Sequence, residues 1–394
     1  MSRGCFQEEH GIFRRNFRQF IEKEVAPYTL DWEEKGEWPK SVLRRMGELG
    51  FLGLRHKEEH GGAGADYFYT VVMAEELPRC GVSGFPMGIM VHTDMATPII
   101  GKLGSPEQVE RFLKPAIRGE KLAALAITEP QAGSDVGAIK TSAKKDGGEY
   151  VINGSKLFIT NGANADFLTL AAKTAPEQGL HGISFFLFPT DTPGFQVAKK
   201  LKKMGNHSSD TAELVFEDAR VPKEYLLGEE NMGFYYIMQN FQGERLIAAV
   251  SAVAGSQLLL DLTIQYARDR QAFGRPIIKF QVNRHKVVDM ATRVAVARSF
   301  VYDVCGAFDS FDSAQSADPA HAVPFELVKE ISMAKLFATE VAKLVADECV
   351  QLHGGYGYIE EFPVARAYRD TRLLSIGGGT SEIMKEIIGK IMDL

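Results

Sequence analysis

Apolar residues recur at helical spacing along the early part of the chain. Ile12, Phe13, Phe17, Phe20, Ile21 and Val25 share a face that stops before Pro27, and Val42, Leu43, Met46, Leu49 and Leu52 form a second face. From about residue 121 the period shortens. Leu122 to Thr128, Tyr150 to Ile152, Lys156 to Thr160, Phe167 to Ala172, Ile183 to Phe188 and Ala212 to Phe216 are short apolar or alternating runs, as strands are. Asn153-Gly154 between two of these runs predicts a type I′ hairpin, because both central residues of that turn need positive φ. Asp146-Gly147-Gly148 and Pro193-Gly194 mark further turns. From about 228 the helical period returns. Ser310 to Pro324 reads as an exposed loop, and Glu326 to Leu352 as the helix beyond it. The pattern predicts an α+β fold in three parts: a helical N-terminal domain over 1–120, an antiparallel β middle domain over 121–227, and a helical C-terminal domain over 228–394.

One segment breaks its own pattern. Asn231 to Leu260 is apolar almost all round, as a core helix is, yet carries the adjacent pair Glu244 and Arg245 and no other charge. Glu244 shares its helical face with Ile237, Phe241, Ala248 and Ser251. A carboxylate there loses hydration, so its pKa rises toward the working range of a base. Neighbours on a helix diverge by about 100°, so Arg245 need not be its ion-pair partner. Two readings stand at this point: a catalytic carboxylate, or the blander one of a buried structural charge or a wet kink at Gly243.

Composition narrows the class. The 394 residues exceed one ordinary core, and 45% hydrophobic with 24% charged residues marks a globular protein. A formal net charge of −6 without any Lys/Arg block argues against a nucleic-acid partner. Cys5, Cys80, Cys305 and Cys349 form no Cys-x-x-Cys pair and the histidines no ligand spacing, so a reduced compartment and no metal are expected. Leu246 to Leu260 is too short for a membrane span. The N-terminus shows no signal or transit pattern, so a cytoplasmic location is expected. Glu59 to Asp66 mimics a dinucleotide loop, but with no strand before it a plain turn is the reading.

Three clusters could carry chemistry. Leu125-Ala-Ile-Thr-Glu-Pro-Gln-Ala-Gly-Ser-Asp135 leaves a strand into a turn, and its hydroxyls and glycine backbone suit a planar heteroaromatic with polar edges. Phe158-Ile-Thr-Asn-Gly162 adds an aromatic and a hydroxyl. Ser375-Ile-Gly-Gly-Gly-Thr-Ser-Glu-Ile-Met384 lets a ligand approach the backbone, with Thr380 or Ser381 capping the last helix. Unpaired N–H groups there suit an anion or a developing oxyanion.

Together these stretches resemble the acyl-CoA dehydrogenase family over essentially the whole chain. The resemblance rests on Ile127-Thr-Glu-Pro-Gln-Ala-Gly-Ser-Asp135, Asn153-Gly-Ser-Lys-Leu-Phe-Ile-Thr-Asn-Gly162, Arg270-Gln-Ala-Phe-Gly274 with Gln281, Gln351-Leu-His-Gly-Gly355 and Gly378-Gly-Thr-Ser-Glu382, in family order. Gly228 to Met238 is most similar to the long-chain branch. The resemblance implies a C-terminal helical bundle, a homotetramer, bound FAD, and an electron-transferring flavoprotein as acceptor. It implies flavin contacts from Leu125, Ala126, Ile127, Thr128, Gly133, Ser134, Phe158, Ile159 and Thr160. Arg270, Phe273, Gln281, Gln351, Leu352, His353, Gly354 and Gly355 would reach the FAD of a neighbouring subunit. Thr380, Ser381 and Glu382 would close over the cofactor. Ser134, Leu180, His181, Tyr235, Gln242, Gly243, Arg245, Gly378 and Gly379 would line the acyl-CoA site.

Many family members carry the catalytic glutamate just before the Gly-Thr of the last cluster, where this chain has Gly378. A smaller branch carries it on the long helix just before an arginine, and Glu244-Arg245 fits that pattern. Gln131 and Phe158 stand where the family often has glycine and tryptophan. The resulting expectation is α,β-dehydrogenation of an acyl-CoA to its trans-2-enoyl-CoA, with Glu244 taking the α-proton and the Gly378 N–H holding the thioester oxygen. The alternatives are an acyl-CoA oxidase, a flavin monooxygenase of the same fold, and an inactive binding or assembly protein. Met87, Ile89, Met90, Met95 and Ile99 either line an acyl pocket or fill the core.

Overall fold

A computed structural model of the chain describes residues 5–314 and 322–394. The N-terminal part is helical, with Glu8–Phe20, Lys40–Glu48 and Tyr67–Glu76 as its main helices. Phe17, Phe20, Ile21, Val25, Leu43, Met46 and Leu52 are buried as the pattern predicts, while Ile12 and Leu49 turn outward. Beyond Phe20 the first helix changes character, and its apolar face ends at Val25, before Pro27, as the pattern predicts. The helix loosens into a π-turn over Ile21–Val25 and then a short 3-10 turn over Ala26–Tyr28 that accommodates the proline. The Gly-rich run near 60 is a turn after a short 3-10 segment, Glu58–His60, with no strand before it.

The middle part is an eight-stranded sheet: β1 Ala123–Ala126, β2 Ser142–Asp146, β3 Glu149–Thr160, β4 Phe167–Lys173, β5 Ile183–Pro189, β6 Phe195–Lys200, β7 Thr211–Pro222 and β8 Leu226–Leu227. The strand order is β6-β7-β3-β2-β4-β5-β8, with β1 beside β4. The expected antiparallel sheet is therefore mixed, since β1 runs parallel to β4, pairing Ala123 with Phe167, and β2 meets β4 in parallel at Ser142 and Lys173. The cause is how the chain arrives: β1 follows a helix and not a hairpin, and Asp166 anchors its start by accepting from the Leu122 N–H at 2.7 Å.

Asn153-Gly154 does not form the expected hairpin turn. β3 runs straight through this pair, which is a bulge with Gly154 at φ +147° and a register shift against β7. The hairpin closes instead at Gly147-Gly148, pairing Asp146 with Glu149. Asn153 spends its amide across the sheet, donating to Asp218 at 3.0 Å and accepting from the Asp218 N–H at 2.9 Å. A Cβ on Gly154 would sit 2.6 Å from Thr141 Oγ1, so only glycine fits.

The C-terminal part holds the long helices Gly233–Asp269, Gln281–Ala314 and Phe325–His353, then Pro363–Thr371 and Ser381–Ile391. The loop expected over 310–324 is helical as far as Ala314, and residues 315–321 lie outside those described. By length and composition Gly233–Asp269 could cross a membrane, but over half of its most apolar window is buried. It joins two hydrophobic cores. Tyr236 and Ile237 belong to the core of the sheet, whereas Leu246, Ile247, Val250 and Val253 belong to the core shared by the helical parts. Glu244 and Arg245 sit at the seam.

Candidate active site

Glu244 is only 5% exposed, because the helix that carries it is packed on both sides of the seam. One turn earlier, Asn240 Nδ2 donates to Glu244 Oε1 at 2.8 Å and to the Met95 carbonyl at 2.9 Å. Burial pushes the Glu244 carboxyl up to about 8, against the Asn240 hydrogen bond and the Arg245 charge, which both favour ionisation. Arg245 is 4% exposed, with its guanidinium 5.7 Å from the Phe241 ring centre. Burial pulls Arg245 down to about 10, and its Nε finds no partner among the described residues. Gln242 is also buried; Nε2 donates to the Met238 carbonyl at 2.8 Å while Oε1 has no partner among the described residues. Such orphaned polar atoms suit a ligand with its own donors and acceptors. Gly243 packs near Phe308, where a Cβ would make an ordinary contact at 3.8 Å, so close packing there does not require glycine.

The glycine loop comes to the same place from the other end of the chain. Gly378 and Gly379 have φ of +64° and +97°, and Thr380 caps the Ser381–Ile391 helix by accepting from the Ile383 N–H. A Cβ on Gly379 would lie 2.6 Å from the Met384 methyl and 3.8 Å from Arg245 Nε, so the loop abuts the arginine beside Glu244. Around Gly378 no described residue comes within 4 Å of such a Cβ. Buried Lys335, on Phe325–His353, donates its ammonium to the Gly379 carbonyl. Its pKa is pulled down to about 8 by burial and by the Arg245 charge. Ser381 is tied to Glu340 at 2.9 Å, and Glu382 is exposed.

A buried ion pair joins the two middle-domain clusters to each other. Lys156 Nζ donates to Glu129 Oε1 at 2.7 Å and to the Ile127 carbonyl at 2.9 Å, both side chains being buried. The Lys140 and Thr141 N–H groups donate to the Glu129 carboxylate, and the Leu157 N–H donates to the Thr128 carbonyl, completing this staple. On the resulting ledge Leu125, Thr128 and Thr160 are half-buried, Gly133 and Ser134 are exposed, and Phe158 is 63% exposed at φ +62°. Ala126, Ile127 and Ile159 turn into the core of the sheet, so a ligand meets them through backbone alone. Leu180 and His181 are exposed and Tyr235 is half-buried.

The remaining predicted contacts face outward. Arg270, Gln281, Gln351, Gly354 and Gly355 are exposed, and Phe273, at the tip of a two-stranded ribbon, is 96% exposed. Leu352 is buried, and His353 stacks on Tyr266 at 4.1 Å.

Comparison with known proteins now decides the family. Acyl-CoA dehydrogenase N-terminal, middle and C-terminal domain profiles match residues 7–120, 124–219 and 231–392. The chain belongs to the acyl-CoA dehydrogenase family. It is 42% identical to the mitochondrial long-chain specific acyl-CoA dehydrogenase of Sus scrofa, over 98% of this chain and 87% of that protein. The crystal structure of an acyl-CoA dehydrogenase from Geobacillus kaustophilus superposes with a TM-score of 0.92 at 45% identity, covering 100% of both chains. One from Bacillus anthracis, complexed with FAD, gives 0.92 at 35% identity, over 100% of this chain and 69% of that one.

FAD is the cofactor of this acyl-CoA dehydrogenase. The ledge fits the group: it sets an exposed aromatic beside the hydroxyls of Thr128, Ser134 and Thr160 while turning its one buried ion pair inward. Sequence reading of this family member missed Asn240, Lys335 and the Glu129–Lys156 staple. Asn240 had a signal, lying four residues before Glu244 on an evident helix. Lys335 had none, because its partner lies 44 residues away.

Proposed function

We propose that this chain oxidises an acyl-CoA thioester at its α,β bond to the trans-2-enoyl-CoA, with Glu244 removing the α-proton. The observation that carries this reading is a lone carboxylate, desolvated and raised to about 8, at the seam where the capped glycine loop arrives. Bound FAD supplies the two-electron acceptor for the β-hydrogen. The residues do the rest. Gly378, without a side chain and with open space before it, can offer its N–H to the thioester oxygen as charge develops there. Lys335 fixes the neighbouring carbonyl, which keeps two glycines of high backbone freedom in one conformation. Gln242 Oε1 and Arg245 Nε, unpaired in the chain alone among the described residues, support polar contacts with the ligand. Since the base must be ionised, kcat/KM should rise with pH through about 8.

The electron acceptor we propose is an electron-transferring flavoprotein, and the assembly a homotetramer. The outward Arg270, Phe273, Gln281 and Gln351 support the second point, because in one chain they have no ledge to meet. Four unpaired cysteines, three of them buried, support a reducing, cytoplasmic setting. The test is anaerobic titration of the yellow protein with acyl-CoA thioesters from C4 to C16 and with isovaleryl-CoA. Bleaching of the flavin by at least one of them, with enoyl-CoA as product, is expected. Absence of bleaching across the panel would overturn the proposed activity.

A further inference from the structure

The side chain that touches the candidate base has no assigned role. Asn240 Nδ2 lies 2.8 Å from Glu244 Oε1 and 2.9 Å from the carbonyl of Met95, in the π-turn Val91–Ala96. Both neighbours are acceptors, so the amide must present its NH₂ and not its oxygen to them. Each of its two hydrogens has a job. Few side chains can do this: serine has one donor, aspartate none when ionised, and glutamine is longer by a methylene. The Met95 carbonyl belongs to a different element, so it fixes the amide against something other than the helix that bears the base.

We infer that Asn240 is a positioning residue for Glu244: anchored on the Met95 carbonyl, its amide holds Oε1 and leaves Oε2 free to take the substrate proton. The inference rests on Glu244 being the base. The amide does two things at once. It picks one carboxylate rotamer from those open to a glutamate, and it donates to the ionised form, which opposes the desolvation raising the pKa. The charged groups around Glu244 leave this task to Asn240. Arg245, on the same helix, acts through its charge but lies over Phe241. Lys335, on Phe325–His353, is committed to the Gly379 carbonyl. Asp94, on the Val91–Ala96 turn, accepts from Thr93 Oγ1 at 2.6 Å and interacts with Arg55.

The sign follows. Removing a donor to the ionised carboxylate raises its pKa, so the ascending limb of the pH–activity profile moves to higher pH. A hydrogen bond to a charged group corresponds to a shift of about one to two pH units. Asn240→Leu should therefore lose about 10–100-fold in kcat/KM at pH 7 and recover most of it by about pH 9.5. Asn240→Asp, of the same shape, puts a second carboxyl against Glu244 and should move the limb at least as far. Asn240→Ser keeps one donor on a shorter side chain and should fall between Leu and wild type. All are assayed as FAD-loaded holoenzyme across the pH range with a thioester that bleaches the wild type, after FAD content and melting temperature show which variants are folded. A limb that stays put, with activity unchanged or lowered equally at every pH, would make Asn240 mere packing and overturn the inference. Glu244→Gln, run alongside, separates this from failure of the underlying reading: if it keeps full turnover, the base itself has been misassigned.

Discussion

The two sides of the site differ in how complete they are within one chain. The helix side is finished in its burial: Glu244, Arg245, Gln242 and Lys335 are buried, Asn240 and the Gly379 carbonyl take up two of their polar ends, and among the described residues Arg245 Nε and Gln242 Oε1 stay unpaired. The outer side is open. Phe158 and Phe273 stand in solvent, as do Arg270, Gln281, Gln351, Gly354 and Gly355. The contrast separates two physical requirements. Raising a carboxylate's pKa needs low dielectric around one group, and the seam between two cores of one chain provides it. Holding a large cofactor needs many contacts over a long surface, and those are what a neighbouring subunit would complete.

The largest effect should come from breaking the finished side at its centre. Glu244→Gln keeps the volume and removes the proton acceptor, so turnover should fall by about 10²–10⁴-fold. Stability should move the other way. A carboxyl whose pKa is raised in the folded state contributes most below its ordinary value of 4.5 and loses that contribution as pH climbs through about 8. Glutamine has nothing to ionise. The variant should therefore match wild type near pH 4 and exceed it at pH 8 by on the order of 2–4 kcal/mol, read by denaturant melts at both pH values. Equal stability at pH 8 would mean that Glu244 is better hydrated than its burial indicates.

Next in size is the clamp on the loop. Lys335→Met leaves the Gly379 carbonyl without its buried donor, and turnover should drop about 10–100-fold with FAD retained. Lys335→Arg should recover part of the loss, and no recovery would point to lost packing instead.

These groups also show what the sequence could and could not reveal. Glu244 was legible because a charge in an apolar helix is a local anomaly, and the helical, β, helical order because periodicity is local too. The direction of β1 was not, since it depends on the chain arriving from a helix. Asn153-Gly154 misled because positive φ serves a bulge as well as a hairpin, and the choice lay with Asp218, 65 residues away. Lys335 reads as an ordinary helix lysine until the fold brings Gly379 to it.

Smaller effects should come from the open side. Arg270→Ala and Phe273→Ala should leave the monomer's fold unchanged, because both side chains face solvent in it. In the proposed tetramer they should weaken FAD retention by about tenfold, the scale of one lost charge-assisted contact. Flavin loss on dilution should track loss of the tetramer in sedimentation. A wild-type monomer that keeps FAD on dilution would erase the contrast between the two sides.

The smallest effect asks whether the two sides of the helix–loop seam can exchange the base. In Glu244→Gly with Gly378→Glu the carboxylate would move to the loop. No described residue comes within 4 Å of a Cβ at position 378, so crowding is not the obstacle. The backbone is: Gly378 sits at φ +64°, where a side chain costs about 1–2 kcal/mol. The new carboxyl would also start from the exposed end of the site, with less desolvation to raise its pKa and no Asn240 to hold it. Rescue should thus be about tenfold over Glu244→Gly alone, short of the about 10²–10⁴-fold a well-positioned base supplies. Its ascending limb should lie at lower pH than that of wild type, because a better-hydrated carboxyl ionises more readily. If the double variant binds FAD and acyl-CoA yet stays at the level of Glu244→Gly, positions 244 and 378 do not face one α-carbon, and only the buried side of the seam can host the base.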